Sequence, residues 1–175
     1  MAKILIAYST VDGQTRRICE RLRQRLEALA HAVTLEQMRD DVVIDAAPFD
    51  KVIIGASVRY GKHRAHVRQF IAANAHKLDG KPTALFSVNL VARKSEKNTP
   101  ATNPYLRKLL AEVGWQPQCA AVFAGRLDYA LYGFWDRQII RLIMKLTGGP
   151  TARDAKVEYT DWEQVDAFAQ QCAAL

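Results

Sequence analysis

Short apolar runs alternate along this chain with longer stretches of helical period. Lys3-Ile4-Leu5-Ile6-Ala7-Tyr8 is a strand-length apolar run that ends abruptly in the polar turn Ser9-Thr10-Val11-Asp12-Gly13-Gln14-Thr15. Apolar residues then return at Ile18, Leu22, Leu26 and Leu29, the spacing of one helix face. A buried strand that runs straight into a helix is the opening half of a βαβ unit. The pattern continues with a short strand over 32–36, a polar connection over 40–48 interrupted by Val42-Val43-Ile44, and an apolar strand over 51–56. A helix over 63–77 follows, with Val67, Phe70 and Ile71 on one face. A strand over 82–90, a polar loop over 92–102, a helix over 103–113 and a strand over 119–125 complete the series.

These strands are continuous apolar runs, which marks a parallel sheet covered on both faces. The expected fold class is α/β: a flavodoxin-like, doubly wound, five-stranded parallel sheet in the order 2-1-3-4-5. No internal repeat, low-complexity segment or linker is present, so residues 1–175 are expected to form one domain.

In such a sheet, ligands sit beyond the carboxyl ends of the strands, at the switch point between strands 1 and 3. Three loops converge there: 9–15, 57–62 and 87–94. The first has unpaired N–H groups at a helix N-terminus, hydroxyls from Ser9, Thr10 and Thr15, and Gly13 to let backbone approach. Val11, Asp12 and Gln14 complete it. It lacks Gly-x-Gly-x-x-Gly and also the Gly-Lys-Ser/Thr ending of a triphosphate loop. A monophosphate site or a ligand-free capped turn remains. The turn resembles the Ser/Thr-x-Thr-Gly-x-Thr loop with which flavodoxins hold the phosphate of FMN, with Asp12 as the extra residue before Gly13.

The second loop, Ser57-Val58-Arg59-Tyr60-Gly61-Lys62, offers an aromatic that either stacks on a flat ring or packs within its loop. The third offers Ser87, Val88, Asn89, Leu90 and their backbone to a ring edge. Arg59, Lys62, Arg64, Arg93, Lys94 and Lys97 form a basic rim. Singly each reads as a solvated charge; together they surround the expected ligand. His31, His63, His66 and His76 make no metal set and read as surface histidines. No metal site is expected.

Charge sharpens this picture. Lys plus Arg is 25 and Asp plus Glu is 18, a net +7 that favours anionic partners: nucleic acid, anionic lipid or an acidic small molecule. Cys19, Cys119 and Cys172 are too far apart for a metal spacing or a disulfide framework, and read as buried or idle thiols suited to a reducing compartment. No run reaches the roughly 18 apolar residues a membrane span needs. The sequence enters its first strand at once, so no secretory signal is expected.

Residues 126–153 are expected to be a helical insertion in or after strand 5, before Lys156-Val157-Glu158-Tyr159 completes that strand. Thr160 or Asp161 then caps the last helix. The insertion holds Tyr129, Tyr132, Phe134 and Trp135, then a helix over 136–146 that stops at Gly148-Gly149-Pro150. At helical spacing Arg137, Arg141 and Lys145 form one stripe, opposite Trp135, Ile139, Leu142, Ile143 and Leu146. With five Lys or Arg and two Asp the insertion carries +3. It suits a helix lying in a membrane interface, a helix docked on its own core, or in shape alone a calmodulin-type partner helix.

Taken together, the chain resembles the menaquinone-dependent protoporphyrinogen IX dehydrogenases, flavodoxin-like enzymes of bacterial haem synthesis. The resemblance runs nearly end to end. It rests on Ser9-Thr10-Val11-Asp12-Gly13-Gln14-Thr15-Arg16, on Val52-Ile53-Ile54-Gly55-Ala56-Ser57-Val58-Arg59-Tyr60-Gly61, and on Ser87-Val88-Asn89-Leu90-Val91-Ala92-Arg93-Lys94. It rests also on Leu142-Ile143-Met144-Lys145 with Gly148-Gly149, and on Tyr159-Thr160-Asp161-Trp162-Glu163. The resemblance implies bound FMN, protoporphyrinogen IX as electron donor, and menaquinone or ubiquinone as acceptor. It implies no nucleic-acid partner, leaves a homo-oligomer open, and places the protein peripherally on the cytoplasmic face of the inner membrane, against its anionic surface. The substrate loses six electrons, so a two-electron flavin turns over three times. Arg59, Arg93 and Lys94 are the expected partners of the substrate propionates. No side-chain set demands an acid or base role. A flavodoxin-type NAD(P)H:quinone reductase and a non-enzymatic electron carrier are the alternatives. Against the carrier stand the insertion and the +7 charge, since small electron-carrying flavodoxins are typically acidic.

Overall fold

The computed structural model describes residues 1–131, 133–146, 148–152 and 156–175. The chain runs β1 (Lys3–Ser9), α1 (Gln14–Ala28), β2 (Ala32–Gln37), β3 (Lys51–Arg59), β4 (Lys62–His63), α2 (Ala65–Ala73), α3 (Ala75–Leu78) and β5 (Thr83–Val88). Two 3₁₀ turns, Leu90–Arg93 and Ser95–Lys97, lead to α4 (Pro104–Val113) and β6 (Cys119–Phe123). Then come β7 (Arg126–Asp128), a 3₁₀ turn at Tyr129–Leu131, α5 (Phe134–Leu146), β8 (Lys156–Glu158) and α6 (Trp162–Ala174).

The main sheet has the order β2-β1-β3-β5-β6, all parallel, with β4 added antiparallel to β3. Counting parallel strands alone, this is the expected 2-1-3-4-5. Side chains alternate across a strand, so successive residues feed two cores. Ile4, Ile6 and Tyr8 pack with Ile18, Leu22 and Leu26 of α1 and Val165 and Phe168 of α6. Leu5, Ala7, Val52 and Ile54 pack with Val67, Phe70 and Ile71 of α2 and Leu106 and Leu109 of α4.

Three elements differ from the sequence pattern. The helix expected over 63–77 begins at Ala65 and breaks at Asn74. The Asn74 side chain is the cause: its carbonyl accepts from Ala46 N–H at 3.0 Å and its amide donates to Ile44 O at 3.0 Å, tying a buried amide to the preceding loop. At the other end, residues 62–63 return beside β3 as a hairpin whose two turn residues, Tyr60 and Gly61, both have positive φ, 51° and 71°. Lastly, Lys156–Glu158 does not complete the fifth parallel strand. It pairs antiparallel with Arg126–Asp128 in a separate ribbon. Thr160 donates to Ala124 O at 2.7 Å, and Tyr159 N–H to Gly125 O at 3.1 Å, which closes the ribbon just past the end of β6. Of the two expected caps, Asp161 is the one that accepts from the first turn of α6, at Glu163 and Gln164.

Between the ribbon strands, α5 packs through Ile140 and Met144 on Leu127 and Tyr129, making a small third core that Leu90 and Tyr159 flank. Tyr132, one of the aromatics of the insertion, lies outside the described residues.

Candidate functional site

The carboxyl ends of β1, β3 and β5 open into one cleft. Thr10, Val11, Asp12, Gln14 and Thr15 line its first side, and Ser57, Val58, Arg59, Tyr60 and Gly61 its second. Val88, Asn89, Leu90 and Arg93 come from the third loop. Ser9, Gly13, Ser87 and Lys94 are not among the lining residues: Ser9 and Ser87 are buried behind the lining, Gly13 sits half-buried at the N-cap of α1, and Lys94 follows the turn that carries Arg93.

The turn after β1 is built for an anion. Gly13 holds the N-cap position of α1 with φ of 84°, a left-handed conformation that a side chain resists. No side chain caps the helix and no acidic residue occupies its first turn, which leaves N–H groups and a positive dipole end open. Thr10 Oγ1 accepts from Gly13 N–H at 3.1 Å and fixes the turn. The hydroxyls of Ser9, Thr15 and Ser57 are buried and have no partner among the described residues. A buried polar group without a partner costs about 1–3 kcal/mol, and two of the three, Thr15 and Ser57, line the cleft. These two fit a bound phosphate and the polar chain attached to it. Gln14 contributes backbone only, because its amide donates to Glu158 at 2.5 Å and to Thr160 at 2.9 Å.

Tyr60 stands at the mouth, 54% exposed, with a φ uncommon for a bulky residue. Its hydroxyl donates to Asp136 of α5. Arg59 lies over its ring, 5.3 Å from guanidinium carbon to centroid. Arg59 also donates to Asp12 and to Asp136, each at 2.6 Å. The two carboxyls respond oppositely. Burial pushes Asp12 up, against the pull of Arg59. The phenol of Tyr60 and the Arg59 guanidinium hold Asp136 down.

Behind the third loop lies a buried polar chain. His63 Nε2 and Ser87 Oγ are 2.8 Å apart, Asn89 donates to Ser87 Oγ at 3.1 Å, and Asn103 donates to Asn89 Oδ1 at 3.1 Å. Asn89 Oδ1 also accepts from Ala92 N–H at 3.1 Å, which shapes the 3₁₀ turn carrying Arg93. Ser87 and Asn89 thus spend their side chains holding the loop, and the backbone is what the loop presents to the cleft. His63, expected at the surface, is 5% exposed. The hairpin turn brings it opposite Val58, and burial, helped by the positive charge of Arg68, pushes its ring down to about 4.

Sequence reasoning missed several contributors, the backbone of Gly125 among them. Tyr105 enters because Asn103 caps α4 and Pro104 starts it, so the first turn of α4 faces the cleft. Arg126 arrives with the ribbon, and Ile140 and Met144 of α5 close the far wall beside Ile143. The insertion is therefore part of the cleft. Its two faces also differ from the expected pair. Arg137 donates to Tyr129 O at 3.1 Å and Arg141 to Thr151 O at 2.9 Å, so two of the three bases clamp neighbouring backbone and are half-buried. Lys145 is exposed. Phe134, Trp135, Ile139, Leu142 and Leu146 face outward, from 45% to 77% exposed.

A profile described as the flavodoxin domain matches residues 5–154. The chain is 44% identical over 173 residues to protoporphyrinogen IX dehydrogenase [quinone] of Escherichia coli strain K12, covering 99% of this chain and 96% of that protein. The chain belongs to the protoporphyrinogen IX dehydrogenase family of flavodoxin-domain proteins. A second family member, from Leishmania major and with the same name, is 42% identical over 174 residues, covering 99% of this chain and 75% of its own length. Among solved structures, an archaeal flavodoxin superposes with a TM-score of 0.55 at 14% identity, over 98% of this chain and 96% of its own. Oxidised flavodoxin 1 of Bacillus cereus gives 0.53 at 15%, over 98% and 95%. At such identities these two speak for the fold alone. For the family, the match that includes the insertion is the informative one.

Proposed function

We propose that this protein is an FMN-dependent oxidoreductase that converts protoporphyrinogen IX to protoporphyrin IX and delivers the electrons to a respiratory quinone. The observation that carries this reading is the cleft wall supplied by α5: the insertion closes the same cavity that the phosphate-type turn opens, and the likeness to the dehydrogenases covers it. The flavodoxin domain itself supports a flavin; the monophosphate character of the turn supports FMN. Bound there, FMN would supply a two-electron acceptor, used three times for the six electrons of the substrate.

The residues of this chain then divide the work. Thr15, Ser57 and the open N–H groups of α1 hold the phosphate by charge-assisted hydrogen bonds. Tyr60 offers a ring face. The third loop, set by Asn89, offers backbone donors and acceptors to a ring edge. Ile140, Ile143 and Met144 exclude water from one wall. Arg93, beside the mouth, and Lys94 after it are offered to the propionates. Arg59 is committed to Asp12 and Asp136, so its part is to hold the loops together.

The same reading places the protein on the cytoplasmic face of the inner membrane, where quinones reside. The outward apolar face of α5 supports attachment, and among the described residues no helix is long and apolar enough to cross. Anaerobic stopped-flow tests the function. Protoporphyrinogen IX should bleach the yellow protein rapidly, NADPH should not, and a short-chain quinone should restore the colour. Rapid bleaching by NADPH with none by the porphyrinogen would instead identify a quinone reductase. Denatured protein should release FMN and no FAD.

A further inference from the structure

A second cleft opens beside the first. Gly61 and Tyr105 line both, so the two clefts are neighbours at the Tyr60–Gly61 turn. The second lies between β4, α2 and α4, and its charge is lopsided. Lys62, Arg68 and Lys108 face one carboxylate, Glu112. Arg68 reaches Glu112 at 3.3 Å and Lys108 at 3.9 Å. These pairs are open to solvent, 39% to 61% exposed on their side chains, and such pairs hold weakly and exchange partners easily. Lys62 has no acidic partner among the described residues. His63 forms part of the wall, neutral and already bonded to Ser87, so it adds polarity without charge.

We propose that this cleft is an anion-binding arm of the site, and that it takes a carboxylate of the substrate: one propionate of the tetrapyrrole. The inference rests on the functional reading above. Three cations against one acid leave a positive recess that an isolated surface would fill with water and counter-ions. A macrocycle held at the mouth of the main cleft would pass its side chains over Gly61, which presents no side chain, toward Lys62 and Lys108. Both lysines carry compact ammonium groups on flexible stems, suited to following a mobile carboxylate. Because the groups are exposed, their attraction for a carboxylate is salt-sensitive.

The test is Lys62→Gln/Lys108→Gln in the FMN-loaded protein, with two substrates and two readouts. Steady-state oxidation is measured with protoporphyrinogen IX and with its dimethyl ester, in the same detergent and with the same soluble quinone. KM for the diacid should rise about tenfold, as expected for losing charged hydrogen bonds, while KM for the ester changes less than twofold. Flavin content should be unchanged. Equal KM values for the diacid in variant and parent would overturn the proposal, and so would an equal rise for the ester, which would mark a packing defect. The second readout is fluorescence quenching on binding protoporphyrin IX and its dimethyl ester. If the parent protein turned over neither substrate, the functional reading would fall. The arm would stand if the diacid still bound more tightly than the ester and lost that advantage in the variant, and it would fall if that advantage were absent or persisted.

Discussion

The guanidinium of Arg59 donates to Asp136 at 2.6 Å and thereby ties the loop flanking the cleft to the inserted helix. Its other arm holds Asp12 of the phosphate-type turn at the same distance. One side chain thus connects the loop after β3, the anion turn and the inserted helix. Asp136 is the favourable partner and Asp12 the costly one, because burial dominates at Asp12 and hydrogen bonding dominates at Asp136.

Those opposite shifts separate two variants. Asp136→Asn should free α5: flavin release should quicken a few-fold, and protease should cut within 126–153 more readily. The Asp136 carboxyl is held below its ordinary value of 3.8, so the contact is fully present at neutral pH and is lost only as pH falls below that value. Asp12→Asn should be neutral, or tighten flavin binding by removing a negative charge beside the phosphate. Limited proteolysis and stopped-flow flavin release measure both, and a looser Asp12→Asn protein with an intact Asp136→Asn protein would reverse the assignment.

The orphaned hydroxyls make a prediction about ligand and fold separately. Thr15→Val and Ser57→Ala remove groups that find no partner within the chain. Each should weaken FMN by roughly 10- to 100-fold, the range for hydrogen bonds to a charged group, and leave the thermal midpoint of the apoprotein unchanged or higher. Arg16→Gln is the control: Arg16 is exposed and paired with Glu20 at 2.9 Å, so FMN affinity should hardly move. Flavin fluorescence titration decides it, and equal loss in all three variants would mean a diffuse electrostatic site.

The parallel core and its order were readable because each strand is an apolar run and each helix has one apolar face. The three loops were readable for the same reason: the strand ends place them. What was not readable depends on contacts distant in sequence. His63 looks like a surface histidine until the Tyr60–Gly61 turn folds it back against β3 and Ser87. Arg137 and Arg141 look like a free basic stripe, since helical spacing shows that they share a side and says nothing of the carbonyls of Tyr129 and Thr151 that meet them. Lys156–Glu158 carries strand-like residues, but its partner is the short β7 rather than the main sheet, and periodicity alone does not choose between partners.

His63 carries an acid sensitivity. An exposed histidine in the unfolded chain titrates near 6.5, whereas burial and Arg68 hold this one down to about 4. Between those two values the unfolded chain binds a proton that the folded chain refuses, so stability falls as pH drops through that window. At about 1.4 kcal/mol per tenfold change in proton affinity, the full loss is roughly 3 kcal/mol. His63→Asn, which retains a side-chain hydrogen-bonding group beside Ser87, should flatten the dependence of urea midpoint on pH between about 6.5 and 4 relative to the parent. A parallel decline in both proteins would assign the sensitivity to other groups.

The outward face of α5 supplies the last test. Trp135, Leu142 and Leu146 are 76%, 58% and 77% exposed and line no part of the cleft. Removing each from water at a bilayer surface would contribute roughly 1.5–3 kcal/mol, enough together for reversible attachment. Lys145 adds on the order of 1 kcal/mol near anionic headgroups. Arg137 and Arg141 are engaged with backbone, so neutralising them would disturb the loop as well as the charge. The clean variant is therefore apolar: Trp135→Gln/Leu142→Ser/Leu146→Ser. Co-sedimentation with anionic liposomes should be lost, while FMN content, thermal midpoint and turnover with a short-chain soluble quinone stay at the parent level. For the parent, raising the salt to about 0.5 M, where the screening length falls to a few ångströms, should remove only a minor part of the binding. Complete release by salt with an unaffected apolar variant would mean that charge holds the protein to the membrane and that the apolar face serves another partner.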